Sequence, residues 1–256
     1  MSWLGKMIGG TIGFALGGPI GAVAGAAFGH TFVDKKEDAY LRSIPGGRSG
    51  PGLSTNEEAQ LVFFTAAFSM LAKISKADGH INEKEIQAVE RFMKQDLQLD
   101  AAGQETAKNI FRQATSSAEP FEAFAQQFYA VFRYQHNIIE LMMDVLLRVS
   151  AADGHISRGE EDLLLSATHI FKFSTADYRR LKSKYVRKSD PYYAVLKCDE
   201  TASNAEIKKQ YRILVQEYHP DKIESKGLPE EFVKFASDKF TEIQEAYEQI
   251  RKKRGF

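Results

Sequence analysis

The chain has 256 residues, with 34 Lys+Arg balanced by 34 Asp+Glu, a single cysteine and 43% hydrophobic residues. That is enough apolar mass for one or two packed domains, and a net charge of zero excludes a uniformly basic nucleic-acid binder. Cys198 alone cannot build a disulfide framework or a four-cysteine zinc site.

Nine of the 19 glycines fall in the first 29 residues. From Met7 to Val33 there are 27 residues without Asp, Glu, Lys or Arg, long enough to cross a bilayer as a helix. Gly9, Gly13, Gly17, Gly21, Gly25 and Gly29 recur every fourth residue, which places them in one stripe on such a helix. In water each helical glycine costs about 1 kcal/mol relative to alanine, whereas in lipid a small-residue stripe lets a second helix approach closely. The reading is a membrane anchor over residues 1–33 that dimerises through this stripe. A cleaved leader, with an A-x-A site at Ala22-Val23-Ala24, and an unfolded glycine-rich leader are the competing readings; Pro19 and the scarcity of Leu and Ile weigh against the anchor. Lys6 precedes the span while Lys35, Lys36, Arg42 and Arg48 follow it, so the C-terminal bulk is expected in the cytoplasm.

Pro45-Gly46-Gly47-Arg48-Ser49-Gly50-Pro51-Gly52 cannot hold a regular element, and residues 34–54 read as a flexible linker. Amphipathic helices follow. Leu61, Phe64, Phe68, Leu71 and Ile74 form one stripe; Phe121, Phe124, Phe128 and Phe132 a second; Ile138, Leu141, Met142, Val145 and Val149 a third. Stripes of this kind are core, not cofactor boxes.

One segment occurs twice. Ile74-Ser75-Lys76-Ala77-Asp78-Gly79-His80-Ile81-Asn82 matches Val149-Ser150-Ala151-Ala152-Asp153-Gly154-His155-Ile156-Ser157 at an offset of 75 residues, and Glu85 and Glu160 keep that offset. Asp-Gly-x-Ile-x-x-x-Glu also ends an EF-hand loop. That loop needs oxygen ligands at its first and third positions, where this chain has Ile74 and Lys76, or Val149 and Ala151. A helix–turn–helix fits better: Gly79 and Gly154 end a helix in the left-handed conformation, and Asn82 with Glu85 and Ser157 with Glu160 have capping-box spacing. Ile81 and Ile156 are expected between the paired helices. The two A-D-G-H-I signatures in this helical setting, over residues 55–187, resemble the TerB-like all-helical domain. Because some members of that family are thought to bind metal through acidic residues, the resemblance makes Asp78, Glu85, Asp153 and Glu160, with His80 and His155, candidate ligands; capping is the preferred account, and no metal or other cofactor is expected.

From Asp190 the pattern changes. Asp190-Pro191 opens a short helix, and Ser203 with Glu206 caps a second whose apolar stripe is Ile207, Tyr211, Leu214 and Tyr218. Pro220 stops it, and after Pro229 a third helix carries Phe232, Phe235, Ala236, Phe240, Ile243, Ala246, Tyr247 and Ile250. An antiparallel pair with a polar tip is expected. Asp190-Pro-Tyr-Tyr-x-Val-Leu, Ile207-Lys-Lys-x-Tyr-Arg-x-Leu214, Tyr218-His-Pro-Asp-Lys222 and Phe240-x-x-Ile-x-x-Ala-Tyr-Glu248 together resemble the J domain, here 190–256. The resemblance implies docking on a DnaK-type chaperone and stimulation of its ATP hydrolysis. It assigns that contact to His219, Pro220 and Asp221 and to the basic residues Lys208, Lys209, Arg212 and Lys222. Such a face taken alone reads as ordinary solvated helix; the adjoining loop raises it above that.

The order of membrane segment, TerB-like domain and J domain resembles the membrane-anchored DnaJ-like co-chaperones of bacterial inner membranes, over nearly the whole chain. One departure is the missing polar linker before the J domain: only Val186 to Ser189 intervene. The cysteine-rich zinc module of general DnaJ chaperones cannot be built with one cysteine. The expectation is an all-α co-chaperone without enzymatic chemistry of its own, since no Ser/His/Asp or Cys/His constellation converges and His136 and His169 stand alone. The competing reading is a metal- or stress-sensing TerB-like scaffold with an accessory J domain.

Overall fold

A computed structural model describes residues 17–33, 55–186, 191–224 and 226–256; among them there are helices and no strands. The linker 34–54, the junction 187–190, and Gly9 and Gly13 of the glycine stripe lie outside the described residues. The chain runs α1 (Gly18–Val33), α2 (Thr55–Ser75), α3 (Glu83–Arg91), a π-helical turn (Phe92–Asp96), α4 (Ala101–Ser116), α5 (Phe121–Phe132), α6 (His136–Ser150), α7 (Arg158–Ile170) and α8 (Thr175–Ser183). Four helices then form the C-terminal part: α9 (Pro191–Val195), α10 (Asn204–Glu217), α11 (Pro220–Glu224) and α12 (Glu230–Arg254).

The middle of the molecule is built around α2. Leu61 through Ala72 are buried on every side, so this helix is core and not a surface element with one apolar stripe. Helices α1, α4, α5 and α6 surround it. Phe63 meets Phe128 edge-on at 5.6 Å and Phe132 at 6.0 Å, ring arrangements favoured by the aromatic quadrupole. All five residues of the expected α6 stripe and all four phenylalanines of α5 are buried with it.

Both repeats form the expected helix–turn–helix. Gly79 (φ +94°) and Gly154 (φ +86°) take the left-handed conformation, and each amide donates to a carbonyl three residues back, Lys76 and Ala151, at 2.9 Å. Asn82 and Ser157 then cap α3 and α7 in full capping boxes with Glu85 and Glu160. Ile81 and Ile156 are half-buried beside them.

Helix α1 covers 16 residues, and no described helix is long and apolar enough to cross a membrane. It packs on α2, α4 and α5 through Ile20, Val23, Ala24, Ala27 and Phe28, all buried. These positions follow i, i+3, i+4, i+7, i+8 spacing and make one face. Gly21 and Gly25 lie half-buried at its margin and Gly17 is exposed, so the glycine stripe is not the face that packs here.

In the C-terminal part α10 and α12 run antiparallel. Arg254 donates to Asn204 Oδ1 at 3.2 Å at one end, Tyr211 stacks on Tyr247 at 4.0 Å in the middle, and His219 meets Phe240 at 6.0 Å at the other. With 25 residues α12 outruns the 14 of α10, so its N-terminal turns run past the end of that helix. They dock on the middle domain instead. Phe232 lies 4.6 Å from Phe63 and 6.2 Å from Phe64, and Phe235 lies 5.8 Å from Phe92. The first residues of the expected α12 stripe therefore complete the neighbouring core.

Candidate functional site

Helix α10 ends at Glu217 because Pro220 cannot donate to the helical ladder, and α11 begins at that proline. The amides of Lys222 and Ile223 both donate to the His219 carbonyl, at 2.9 and 3.1 Å, which fixes the backbone of the tip. His219 Nδ1 lies 3.7 Å from Asp221 Oδ2; their side chains are 47% and 88% exposed. The tip thus presents an imidazole and a carboxylate to solvent on a short, hydrogen-bonded turn. Lys208, Lys209 and Arg212 of α10 and Lys222 of α11 are exposed as well. The Lys208 ammonium lies 5.0 Å above the ring of Phe256. The expected His-Pro-Asp tip and the basic residues of the helix that leads into it are thus all exposed.

What holds the tip was not anticipated. Asn137, at the start of α6, donates from Nδ2 to the Glu217 carbonyl at 3.5 Å and accepts from the Lys226 ammonium. One side chain of the middle domain thereby ties the two ends of the loop together. Gln60 of α2 donates to the Leu228 carbonyl at 3.2 Å. Gly227 has φ +69°, and a Cβ there would lie 3.4 Å from Asn56 Oδ1, so this close crossing suits glycine. Ile223, Leu228 and Tyr218 are buried beneath the tip.

Further along α6, Glu140 pairs with Lys197, and Asp144 receives Lys184 at 3.4 Å and Lys239 of α12 more closely. Burial alone would raise the Asp144 carboxyl, but the charges of Lys184 and Lys239 outweigh it and hold the group well below the usual range. Glu140 is lowered against the same burial by Lys197. Burial pulls Lys239 down to about 8 despite the attraction of Asp144. Tyr218 is pushed well above its ordinary value by burial and the nearby carboxylates of Glu140 and Asp144. Arg148 adds a two-pronged bond to Asp96, with Nε at 2.9 Å from Oδ2, and lies over the ring of Phe235. Asn137, Glu140, Asp144 and Arg148 recur at three- and four-residue spacing. That polar stripe on an otherwise apolar helix was the available signal.

The candidate metal residues gather differently. Asp78, Glu85, Asp153, His155 and Glu160 line one polar cleft of about 410 Å³ between the two repeats, while exposed His80 does not line it. Three of the carboxylates are already engaged: Glu85 accepts from the Asn82 amide at 2.7 Å, Glu160 from the Ser157 amide at 2.9 Å, and Asp153 from the His155 amide at 3.0 Å. Burial raises the Glu160 carboxyl, and the charges of Glu85 and Asp78 add to that. Among the described residues no group of three or more His, Cys, Asp or Glu is arranged to hold a metal ion. The donor set fits helix capping.

Known proteins match in the same order. The chain matches the models for the Co-chaperone DjlA transmembrane domain over residues 1–51, Tellurite resistance protein TerB over 64–183 and the DnaJ domain over 191–254. It is 30% identical to the Co-chaperone protein DjlA of Coxiella burnetii over 274 residues, covering 100% of this chain and 99% of that protein. The Vibrio cholerae protein of the same name is 32% identical over 285 residues, again covering 100% and 99%. That of Photobacterium profundum is 29% identical over 279 residues, covering 98% and 99%. No solved structure matches the chain significantly. With its three segments in this order and its likeness running end to end, the chain belongs to the DjlA family of membrane co-chaperones.

Proposed function

We propose that this protein stimulates ATP hydrolysis by a DnaK-type chaperone and recruits it to the cytoplasmic face of the bacterial inner membrane. The observation that carries this reading is the division of the J domain: one side is sealed against the middle domain while the His219-Pro220-Asp221 tip and the basic face of α10 stand open. Lys208, Lys209, Arg212 and Lys222 attract an acidic surface over distance and orient the encounter. His219 and Asp221 then engage polar groups of the chaperone, on a turn that Pro220 keeps rigid. The hydrolytic chemistry belongs to the partner. In the membrane, the glycine stripe allows two copies to approach and so raises the local concentration of J domains.

The test is an ATPase assay with the full chain in lipid nanodiscs and a DnaK-type chaperone. Wild type is expected to accelerate turnover and His219→Gln to abolish the acceleration. Lys208→Glu/Lys209→Glu is expected to weaken association about tenfold at low salt, with the deficit shrinking as salt rises. Equal stimulation by wild type and His219→Gln would sink the reading.

A further inference from the structure

We propose that the end of α12 is a lipid-facing surface: Arg251, Lys252, Lys253 and Phe256, with Lys208 of α10, rest on anionic phospholipid headgroups of the membrane that holds the chain. The inference rests on the membrane placement proposed above and names the surface that meets the bilayer. Residues 247–256 carry four basic residues and one acidic, and that one, Glu248, is held by Arg251 at 3.1 Å. Arg254 is used inside the domain, where it donates to Tyr193 Oη at 2.8 Å and to the Ala202 carbonyl at 2.6 Å. Arg251, Lys252 and Lys253 are exposed. Because α10 and α12 run antiparallel, the start of α10 lies beside this end and brings Lys208 to it.

A tight turn builds the patch around an aromatic ring. Gly255 ends α12 with φ +72°, its amide donating to the Arg251 carbonyl at 2.9 Å. The chain folds back, so that the Phe256 amide reaches the same carbonyl at 3.3 Å and Arg251 Nε donates to the Phe256 carbonyl at 3.1 Å. The ring stands edge-on to Tyr247 at 6.3 Å, beneath the Lys208 ammonium, and stays half-exposed. Helix polarity accounts for cations in the last turn of α12. It does not account for Lys208, which lies in the second turn of α10, nearer that helix's positive end. Like charges drawn from two helices around a half-exposed ring repel one another, so the fold alone gains nothing from them there. An apolar ring at headgroup depth, with ammonium and guanidinium groups beside phosphates, is the pairing an anionic bilayer surface offers.

Placement makes the contact reachable. Lys252 lies about 26 Å of helix beyond Phe235, so the patch projects past the seam with the middle domain. Residues 34–54 span at most about 75 Å, enough to bring this end down to the bilayer. Among acidic surfaces, a bilayer is the one to which the chain is already tied, so the encounter is intramolecular and needs only weak contacts. In this end-on contact His219, about 16 Å further along the direction of α10 than Lys208, is held away from the headgroups.

The experiment uses the full chain in nanodiscs, with a fluorophore at Gln249→Cys in a Cys198→Ser background and a nitroxide-headgroup lipid as quencher. Discs of phosphatidylglycerol mixed with phosphatidylcholine are compared with discs of phosphatidylcholine alone, and elution of the chain with the neutral discs reports the anchor by itself. Quenching is expected in the anionic discs, at least about fivefold above the neutral ones, and should fade as salt rises. Lys252→Gln/Lys253→Gln, two exposed changes, is expected to weaken the docked state about 25-fold, roughly fivefold per charge, with the urea midpoint unmoved. Equal quenching in the two lipids overturns the proposal, as does quenching that the double variant keeps. A variant that keeps its quenching but loses chaperone stimulation assigns the two lysines to the protein partner. ATPase stimulation measured on the same discs separates the two readings: stimulation without lipid-dependent quenching refutes only the lipid surface, and quenching without stimulation refutes only the co-chaperone activity.

Discussion

The two sides of the J domain are built on opposite physical principles. The outer side keeps its charges in water: Lys208, Lys209, Arg212, His219 and Asp221 are exposed, and under the proposed co-chaperone activity they steer and contact the partner. The inner side buries its charges, with Asp144 and Glu140 of α6 meeting Lys184, Lys197 and Lys239, and it packs Phe232 on Phe63. The comparison shows that a domain joined to its neighbour by a short connection can be oriented by a seam rather than swung on a tether. Mutations on the inner side should cost stability first and activity second, and those on the outer side the reverse.

The largest expected effect is at Phe232. Truncating it to alanine opens a cavity among Phe63, Phe64 and Phe92 and is expected to cost about 4 kcal/mol. Urea unfolding of the full chain should then separate into two transitions, the J domain released ahead of the middle domain. A single unshifted transition would show that the seam contributes no cohesion.

Asp144→Asn comes next, at about 3 kcal/mol, because it leaves the buried ammonium groups of Lys184 and Lys239 without their counter-charge. The pH dependence has a definite sign. The folded-state carboxyl is lowered, so its stabilisation is complete above the ordinary carboxylate value of 3.8 and fades as pH falls below it towards the folded value. Wild type should therefore lose stability more steeply on acidification than Asp144→Asn, as read from the urea midpoint against pH. Parallel curves would mean the charge at Asp144 is not what binds the seam.

What could be read beforehand follows the range of the forces involved. The repeated turns were legible because capping is local: Gly79 and Asn82, or Gly154 and Ser157, settle their conformation within a few residues. The exposed tip was legible because its residues are contiguous from Tyr218 to Lys222. The α6 stripe of Asn137, Glu140, Asp144 and Arg148 was visible as spacing, yet a polar stripe looks the same whether it faces water or the cations of another domain. Only the distant positions of Lys197 and Lys239 decide between the two. The apolar character of α1 was equally plain, but the face it buries is set by the groove and not by its own glycine pattern.

The smallest predicted effect tests where the two sides meet. Asn137→Ala removes the bonds to the Glu217 carbonyl and the Lys226 ammonium, and is expected to cost only about 1 kcal/mol. Its consequence should be local: amide exchange from Tyr218 to Ile223 quickens while the body of α10 keeps its protection. Chaperone stimulation should fall with the thermal midpoint barely moved, since the tip is loosened and its side chains are untouched. Asn137→Asp separates the two bonds, because a carboxylate still accepts from Lys226 but cannot donate to the Glu217 carbonyl. Recovery of stimulation in that variant would assign the tip's positioning to the Lys226 contact, and continued loss would assign it to the backbone bond at Glu217. If Asn137→Ala stimulated as well as wild type, the inner side would anchor the J domain without shaping its tip.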